Sequence, residues 1–145
     1  MAVSRGVAAL AAGLLLPAAA PTPSGTLDVE IIQLRSTKGV LRFCLTTDAK
    51  AFPDCKSGKG IAKTVPATST HVRFEGLAHD TYALAVIHDE NNNGKLDTFM
   101  GMPREGFGFS RNPGIGFGPP RFTSASFEVV AATNVQQQVK IRYLL

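Results

Sequence analysis

The chain has 145 residues, room for one domain, and its 15 Lys and Arg against 11 Asp and Glu give a net charge of +4. The bases are scattered and only Lys50–Lys63 is locally basic, without the stacking rings of a nucleic-acid interface, so that partner class is set aside. Two cysteines, Cys44 and Cys55, cannot make a thiolate zinc site without two of His71, His79 and His88, none of which are spaced as ligand pairs.

The first twenty residues differ from the rest. Met1–Arg5 is a short cationic start, Gly6–Leu16 is apolar and uncharged, and Pro17–Ala20 supplies small residues. This pattern predicts a secretory signal peptide over residues 1–20, because the apolar run is short for a bilayer span. The cleavage point is open between Ala19 and Ser24, since Pro21 disfavours cutting directly after Ala20. Loss of residues 1–20 removes one base, Arg5, and no acid, so the net charge falls from +4 to +3. Export to the periplasm or the medium follows, with no membrane-spanning segment after cleavage. In an oxidising compartment the cysteine pair is most simply a Cys44–Cys55 disulfide.

Residues 21–25 read as a Pro/Ser/Gly linker, and residues 26–145 as one all-β domain. Leu27–Ile31 alternates apolar and acidic residues, the pattern of a strand with one buried face. Ser36–Gly39 reads as a turn, and Gly39–Thr47 as the second strand of a hairpin with it. There Leu41, Phe43 and Leu45 share the core face, while Arg42, Cys44 and Thr46 share a polar face. A bridge from Cys44 would clip the Asp48–Lys59 loop over the outside of the sheet. Ile61–Pro66 is a short edge strand that Pro66 ends, since proline cannot donate to a ladder.

His71–Glu75 alternates again, with His71 on the surface. Gly76–Asp80 turns the chain into Thr81–Ile87, apolar on both faces and so a central strand covered on both sides. Small Ala83 and Ala85 leave room for close approach of another element. Ala125, Phe127 and Val129 alternate with polar residues, as do Val135, Val139, Ile141 and Tyr143. Helical periodicity is sustained nowhere. Six to eight short strands predict an antiparallel β-sandwich, immunoglobulin-like or transthyretin-like, with Leu41, Phe43, Phe74, Leu84, Val86, Phe127, Val139 and Ile141 in its core.

Between the central strand and the last two strands lies the least regular part. His88-Asp89-Glu90-Asn91-Asn92-Asn93-Gly94-Lys95-Leu96-Asp97 carries the spacing D-x-N-x-N-G-x-x-D, the first nine positions of a calcium loop. Asp89, Asn91 and Asn93 would supply side-chain oxygens, Lys95 its carbonyl, and Asp97 the ninth position. Met100 stands where a bidentate Glu closes the loop in a helix–loop–helix site, and Glu105 is the nearest carboxylate that can fold back. Two neutral amides and a missing twelfth ligand place the affinity near ~10⁻⁴–10⁻³ M. The competing reading is an Asx-rich turn held by its own side-chain hydrogen bonds.

The segment Phe99–Phe122 then holds five of the nine Phe and six of the fourteen Gly. A loop this long predicts a flap packed by its own side chains over an open end of the sandwich, or else a ligand-facing surface of exposed rings. An acid–base group of His88, Asp89 and Glu105 would make a hydrolase, the alternative to a binding or structural module. No Ser or Cys stands in a nucleophile context, since Ser110 lies outside any G-x-S-x-G.

The motifs His88-Asp89-Glu90-Asn91-x-Asn93-Gly94-Lys95-Leu96-Asp97, Gly101-x-Pro103-x-Glu105-Gly106-x-Gly108-Phe109-Ser110 and Phe117-Gly118-Pro119-Pro120-x-Phe122 resemble the bacterial family called domain of unknown function 2141. Thr81-Tyr82-Ala83 after a Gly-Leu turn fits it too, although Ala78-His79-Asp80 replaces the family's usual Pro-Gly turn. The resemblance covers about Leu27–Tyr143. It implies an exported β-sandwich of unestablished activity, lends no catalytic residue, and leaves the partner open among an envelope protein, a glycan and a small ligand.

Overall fold

The computed structural model describes residues 2–3 and 12–145; the cationic start and most of the apolar run of the expected signal peptide lie outside them. Residues 12–24 carry no regular structure, and the domain begins at Gly25, one residue before its expected start. No helix of the described residues is long and apolar enough to cross a membrane.

Ten strands and one helical turn make up the domain. The strands are β1 (Gly25–Ile32), β2 (Val40–Thr46), β3 (Ile61–Pro66), β4 (His71–Leu77), β5 (Asp80–Asp89), β6 (Thr98–Phe99), β7 (Met102–Pro103), β8 (Gly106–Phe109), β9 (Ser126–Val129) and β10 (Asn134–Lys140). The turn is α1 (Phe122–Ala125). One sheet has the order β10-β1-β4, the other β3-β2-β5-β8 with β9 also on β5, and β6 pairs β7 alone. The domain is all-β, a sandwich of these two sheets.

Alternation explains the packing. Leu27, Val29 and Ile31 of β1 meet Leu41, Phe43 and Leu45 of β2 and Leu84 and Val86 of β5 in one buried cluster. All eight expected core residues belong to it. The Phe43 and Phe74 rings meet edge-on across the two sheets, centroids 6.0 Å apart.

Three expectations are corrected and one is made more definite. First, β1 and β2 form no hairpin: β1 pairs β4 and β10, while β2 pairs β3 and β5. The link 33–39, with Gln33 at φ 63°, is long enough to cross the ~10 Å between packed sheets instead of folding back within one. Second, the sandwich is mostly antiparallel as expected, and its one parallel pair among the described residues is β1 with β10, from Thr26 opposite Asn134 to Ile32 opposite Lys140.

Third, the outward face of β2 is not solvated at its far end: Cys44 and Thr46 are buried, as are Ala83 and Ala85 beside them. The Cys44–Cys55 disulfide, Cα atoms 5.6 Å apart, holds the intervening loop across that face, and Ala51 is buried under it. Fourth, the flap contains a strand. In β8, Phe107 and Phe109 point outward opposite Ile87 and Ala85, while Gly106 and Gly108 face the neighbouring chain. A Cβ on Gly108 would lie 2.6 Å from the Lys140 carbonyl oxygen, so only glycine lets β8 run that close.

The flap therefore covers a face, not an end. Phe107 and Phe109 form a second apolar cluster with Ala83, Ala85 and Ala125, and Phe52, Ile115 and Phe122 pack on it. The small alanines of β5 provide the room, as their size implied. Ser110 bridges the gap where β5 passes from β8 to β9: its backbone N–H donates to the Leu84 carbonyl at 2.9 Å, and its hydroxyl accepts from the Leu84 N–H at 3.0 Å.

Candidate functional site

β5 extends through His88 to Asp89 before the chain leaves the sheet. His88 is fully buried. Its Nε2 lies 2.8 Å from the Lys38 carbonyl, which can only accept, so that nitrogen carries the proton. Nδ1 then accepts from the Tyr143 hydroxyl at 2.7 Å, and that oxygen accepts from the Arg35 N–H at 3.2 Å. The two ring nitrogens thus tie the sheet end to the C-terminal segment through Tyr143 and to the link 33–39 through Lys38.

Asp89 is fully buried too and accepts from three donors: Arg42 Nε at 2.7 Å, the Gly94 N–H at 2.8 Å and the Asn93 N–H at 3.0 Å. Burial raises its pKa, but the Arg42 and backbone hydrogen bonds outweigh that and hold it below the usual carboxylate range. Arg42, on the outward face of β2, also donates to the Asn92 side chain at 2.8 Å. Gly94, at φ +85°, makes the tight turn that aims its N–H inward.

The other expected ligands are drawn together in the same loop. The Asn91 and Asn93 side-chain amides donate to Asp97 at 2.6 and 2.8 Å, and these bonds lower the Asp97 pKa. The Asn91 oxygen accepts from the Asn93 N–H at 3.2 Å, and the Asn93 oxygen from the Lys95 N–H at 3.1 Å. Glu105 does fold back. Its two oxygens accept from the Glu90 and Asp97 N–H groups, each at 3.0 Å, tying the flap to both ends of the loop.

The donor set fits a calcium ion poorly as it stands. Asn91 and Asn93 turn nitrogen toward Asp97, Asp89 faces a guanidinium, and both Glu105 oxygens serve backbone donors. Among the described residues, no three His, Cys, Asp or Glu side chains converge as a metal-holding group.

Glu90 extends the network away from the loop. Arg35 Nε donates to it at 2.9 Å, its pKa is lowered chiefly by that bond, and Ser36 adds a hydroxyl at 2.8 Å. The Arg35 guanidinium also lies 4.4 Å from the Tyr143 ring centroid, and burial raises the Tyr143 pKa. Loop, flap and C-terminus are thus one rigid corner.

Beside this corner is a cavity of about 320 Å³ that the sequence reading did not single out. Ala85 and Ile87 of β5 form its floor, Phe107, Phe109 and Ile115 of the flap one wall, and Leu96, Pro103 and Leu144 line it further. The signal for it was present in the Gly-Phe-Gly-Phe alternation of 106–109, which is strand periodicity with glycine on one face. A larger hollow of about 770 Å³ lies over the outward face of the three-stranded sheet, lined by Asp28, Glu30, His71, Arg73, Gln136 and Gln138. Its charged groups satisfy one another: Arg73 binds Asp28 through two nitrogens, and Gln138 donates to Glu30. The apolar cavity is the better candidate, because ligand sites are mostly apolar hollows with few polar groups.

No curated protein and no solved structure shows significant similarity to the chain. A family model described as an uncharacterized protein conserved in bacteria, DUF2141, matches residues 29–138, from within β1 to within β10. The chain belongs to that family.

Proposed function

We propose that the protein is an exported, non-enzymatic binding module that takes a small, largely apolar ligand in the cavity between the flap and the five-stranded sheet. The observation that carries this reading is the cavity itself, of about 320 Å³, whose floor residue Ile87 is only half-buried although it lies in the central strand. That volume is at the lower end of the roughly 300–1,000 Å³ range of small-molecule sites. Rigidity of the corner favours binding, since little ordering is left to be done.

The test is saturable binding of an apolar fluorescent probe such as anilinonaphthalene sulfonate. Gly116 lines the cavity, and a Cβ there meets nothing within 4 Å, so Gly116→Leu starts from open space and adds bulk at the cavity lining. The substitution should weaken binding about tenfold or more, at an unchanged melting temperature. Absence of saturable binding to the unmodified chain, or an unaffected Gly116→Leu variant, would sink the reading.

Calcium binding by the Asp89–Asp97 loop is a narrower proposal beside it. What supports it is that Asn91 and Asn93 are hydrogen-bonded to Asp97 within one short loop, and that Gly94 donates to the Asp89 carboxylate at the first position. Ion binding requires the two amides to turn their oxygens inward, which is why millimolar calcium is the concentration range to use. A melting temperature equal in millimolar calcium and in chelator would leave the loop as a turn.

A further inference from the structure

We propose that the rim of the apolar cavity docks the molecule on an anionic lipid bilayer, with Phe99, Met100, Met102 and Phe117 entering the interface. This does not rest on the cavity taking a ligand, because none of these four side chains lines it. Their backbones frame it: Thr98, Gly101 and Pro103 from the β6–β7 hairpin and Gly116 and Gly118 from the later loop do line the cavity, so the two turns lie at one mouth.

The four side chains point away from the protein. Phe117 is fully exposed, Met100 is 87% exposed, Phe99 55% and Met102 46%. Apolar residues gathered at the tips of two adjacent turns are what an interface between protein and lipid looks like from the protein side. Turn chemistry gives no reason for them. Met100 and Gly101 both have positive φ, 50° and 80°, the geometry of a tight hairpin turn in which Asn or Gly serves at position 100 with less strain.

Charge selects the partner. Lys95, Arg104 and Arg121 are exposed around the same two turns. Of the nearby acids, Asp54 at the cavity edge pairs with Lys56 at 3.3 Å, Glu105 is buried on two backbone donors, and Asp97 accepts from two amides, so the three exposed bases outnumber the carboxylates left without a cationic partner. Exposed rings and thioethers flanked by exposed bases match a surface that is apolar below and anionic above. A neutral glycan would offer no charge to meet the bases.

The test is flotation of the purified chain with vesicles of phosphatidylglycerol and phosphatidylcholine, against vesicles of phosphatidylcholine alone. The comparison variant carries Phe99→Ser, Met100→Ser, Met102→Ser and Phe117→Ser and keeps the same N-terminal segment, so anything that segment contributes is common to both. The unmodified chain should partition into the anionic vesicles, about tenfold or more ahead of the variant, which should melt at the same temperature. Lys95→Ser, Arg104→Ser and Arg121→Ser should each cost about fivefold, and raised salt should act alike. Equal flotation of the four-site variant, or none by the unmodified chain, overturns the proposal. So does self-association of the lipid-free chain that the four-site variant loses, since a second copy would then cover the patch.

Discussion

Replacing Asp89 with Asn tests whether the corner is held by a charge or merely by shape. The carboxylate is fully buried and serves three donors, two on one oxygen (Arg42 Nε and the Gly94 N–H) and one on the other (the Asn93 N–H). An amide of the same size can keep its oxygen toward Arg42 and Gly94, but its NH₂ then faces the Asn93 N–H, which is left with the longer of its two bonds, to the Asn91 oxygen at 3.2 Å. Losing the shorter of its two bonds and facing another donor costs about 1–2 kcal/mol, and reducing the charge-assisted Arg42 bond to a neutral one costs about 1 kcal/mol more. The Arg42 side chain is 32% exposed, so water recovers part of the loss, and the expected total is about 2–3 kcal/mol. For a domain of this length that is a melting-temperature drop of about 10 °C. Thermal unfolding followed by circular dichroism in chelator measures it without any contribution from metal. Arg42→Ala should cost a similar amount, and the double variant little more than either, because the two side chains act on one another. A drop smaller than about 2 °C for Asp89→Asn would show that the loop stands on its other hydrogen bonds.

Three further outcomes are expected. Gly108→Ala should destabilise by about 1–3 kcal/mol in chemical denaturation, because its Cβ would meet the Lys140 carbonyl oxygen at 2.6 Å and Val139 at 2.7 Å; an unchanged midpoint would mean that β8 and β10 part easily. Cys44→Ala with Cys55→Ala should lower stability by about 3 kcal/mol, the size expected from releasing a short closed loop, and reduction of the unmodified chain should reproduce the loss. Acid should destabilise the fold through Asp28, Asp89, Glu90 and Asp97, whose pKa values are all lowered in the folded state. A lowered folded pKa means stabilisation that is complete above the unfolded values, 3.8 for Asp and 4.5 for Glu, and lost as pH falls toward the folded ones, about 2 for Asp28. Melting temperatures taken from pH 6 to about pH 2 should therefore fall steeply below about pH 4, and a flat profile there would contradict the assignments.

What could be read in the sequence followed from period. The alternation of Leu27–Ile31, Leu41–Leu45 and Phe127–Val129 states which side chains turn inward, and every expected core residue does. Partnership between strands was not legible, because alternation says which face is buried but not against which strand. The seven-residue link 33–39 reads the same whether it turns back or crosses between sheets. The strand β8 escaped notice because glycine at 106 and 108 hides a period that large residues would reveal. At the candidate site, the loop carboxylates and amides were found from their spacing, and Glu105 from its charge. Arg42 was not, since only the register between β2 and β5, with Val40 opposite Asp89, brings it to that carboxylate. The cavity depends on the same long-range pairing and has no local signature beyond the glycine and phenylalanine content of its wall.

The parallel pairing of β1 with β10 joins residues 108 positions apart, Thr26 with Asn134. A chain that emerges N-terminus first, from a ribosome or through a translocation channel, presents β1 with one edge open until Asn134–Lys140 has followed. The five-stranded sheet can assemble in the meantime, since the partners of β5 all precede Val130. The other sheet cannot be completed, and Leu27, Val29 and Ile31 wait beside an empty lane. Loss of the segment from Asn134 onward would therefore leave the earliest-made strand as an unprotected template for pairing with another molecule.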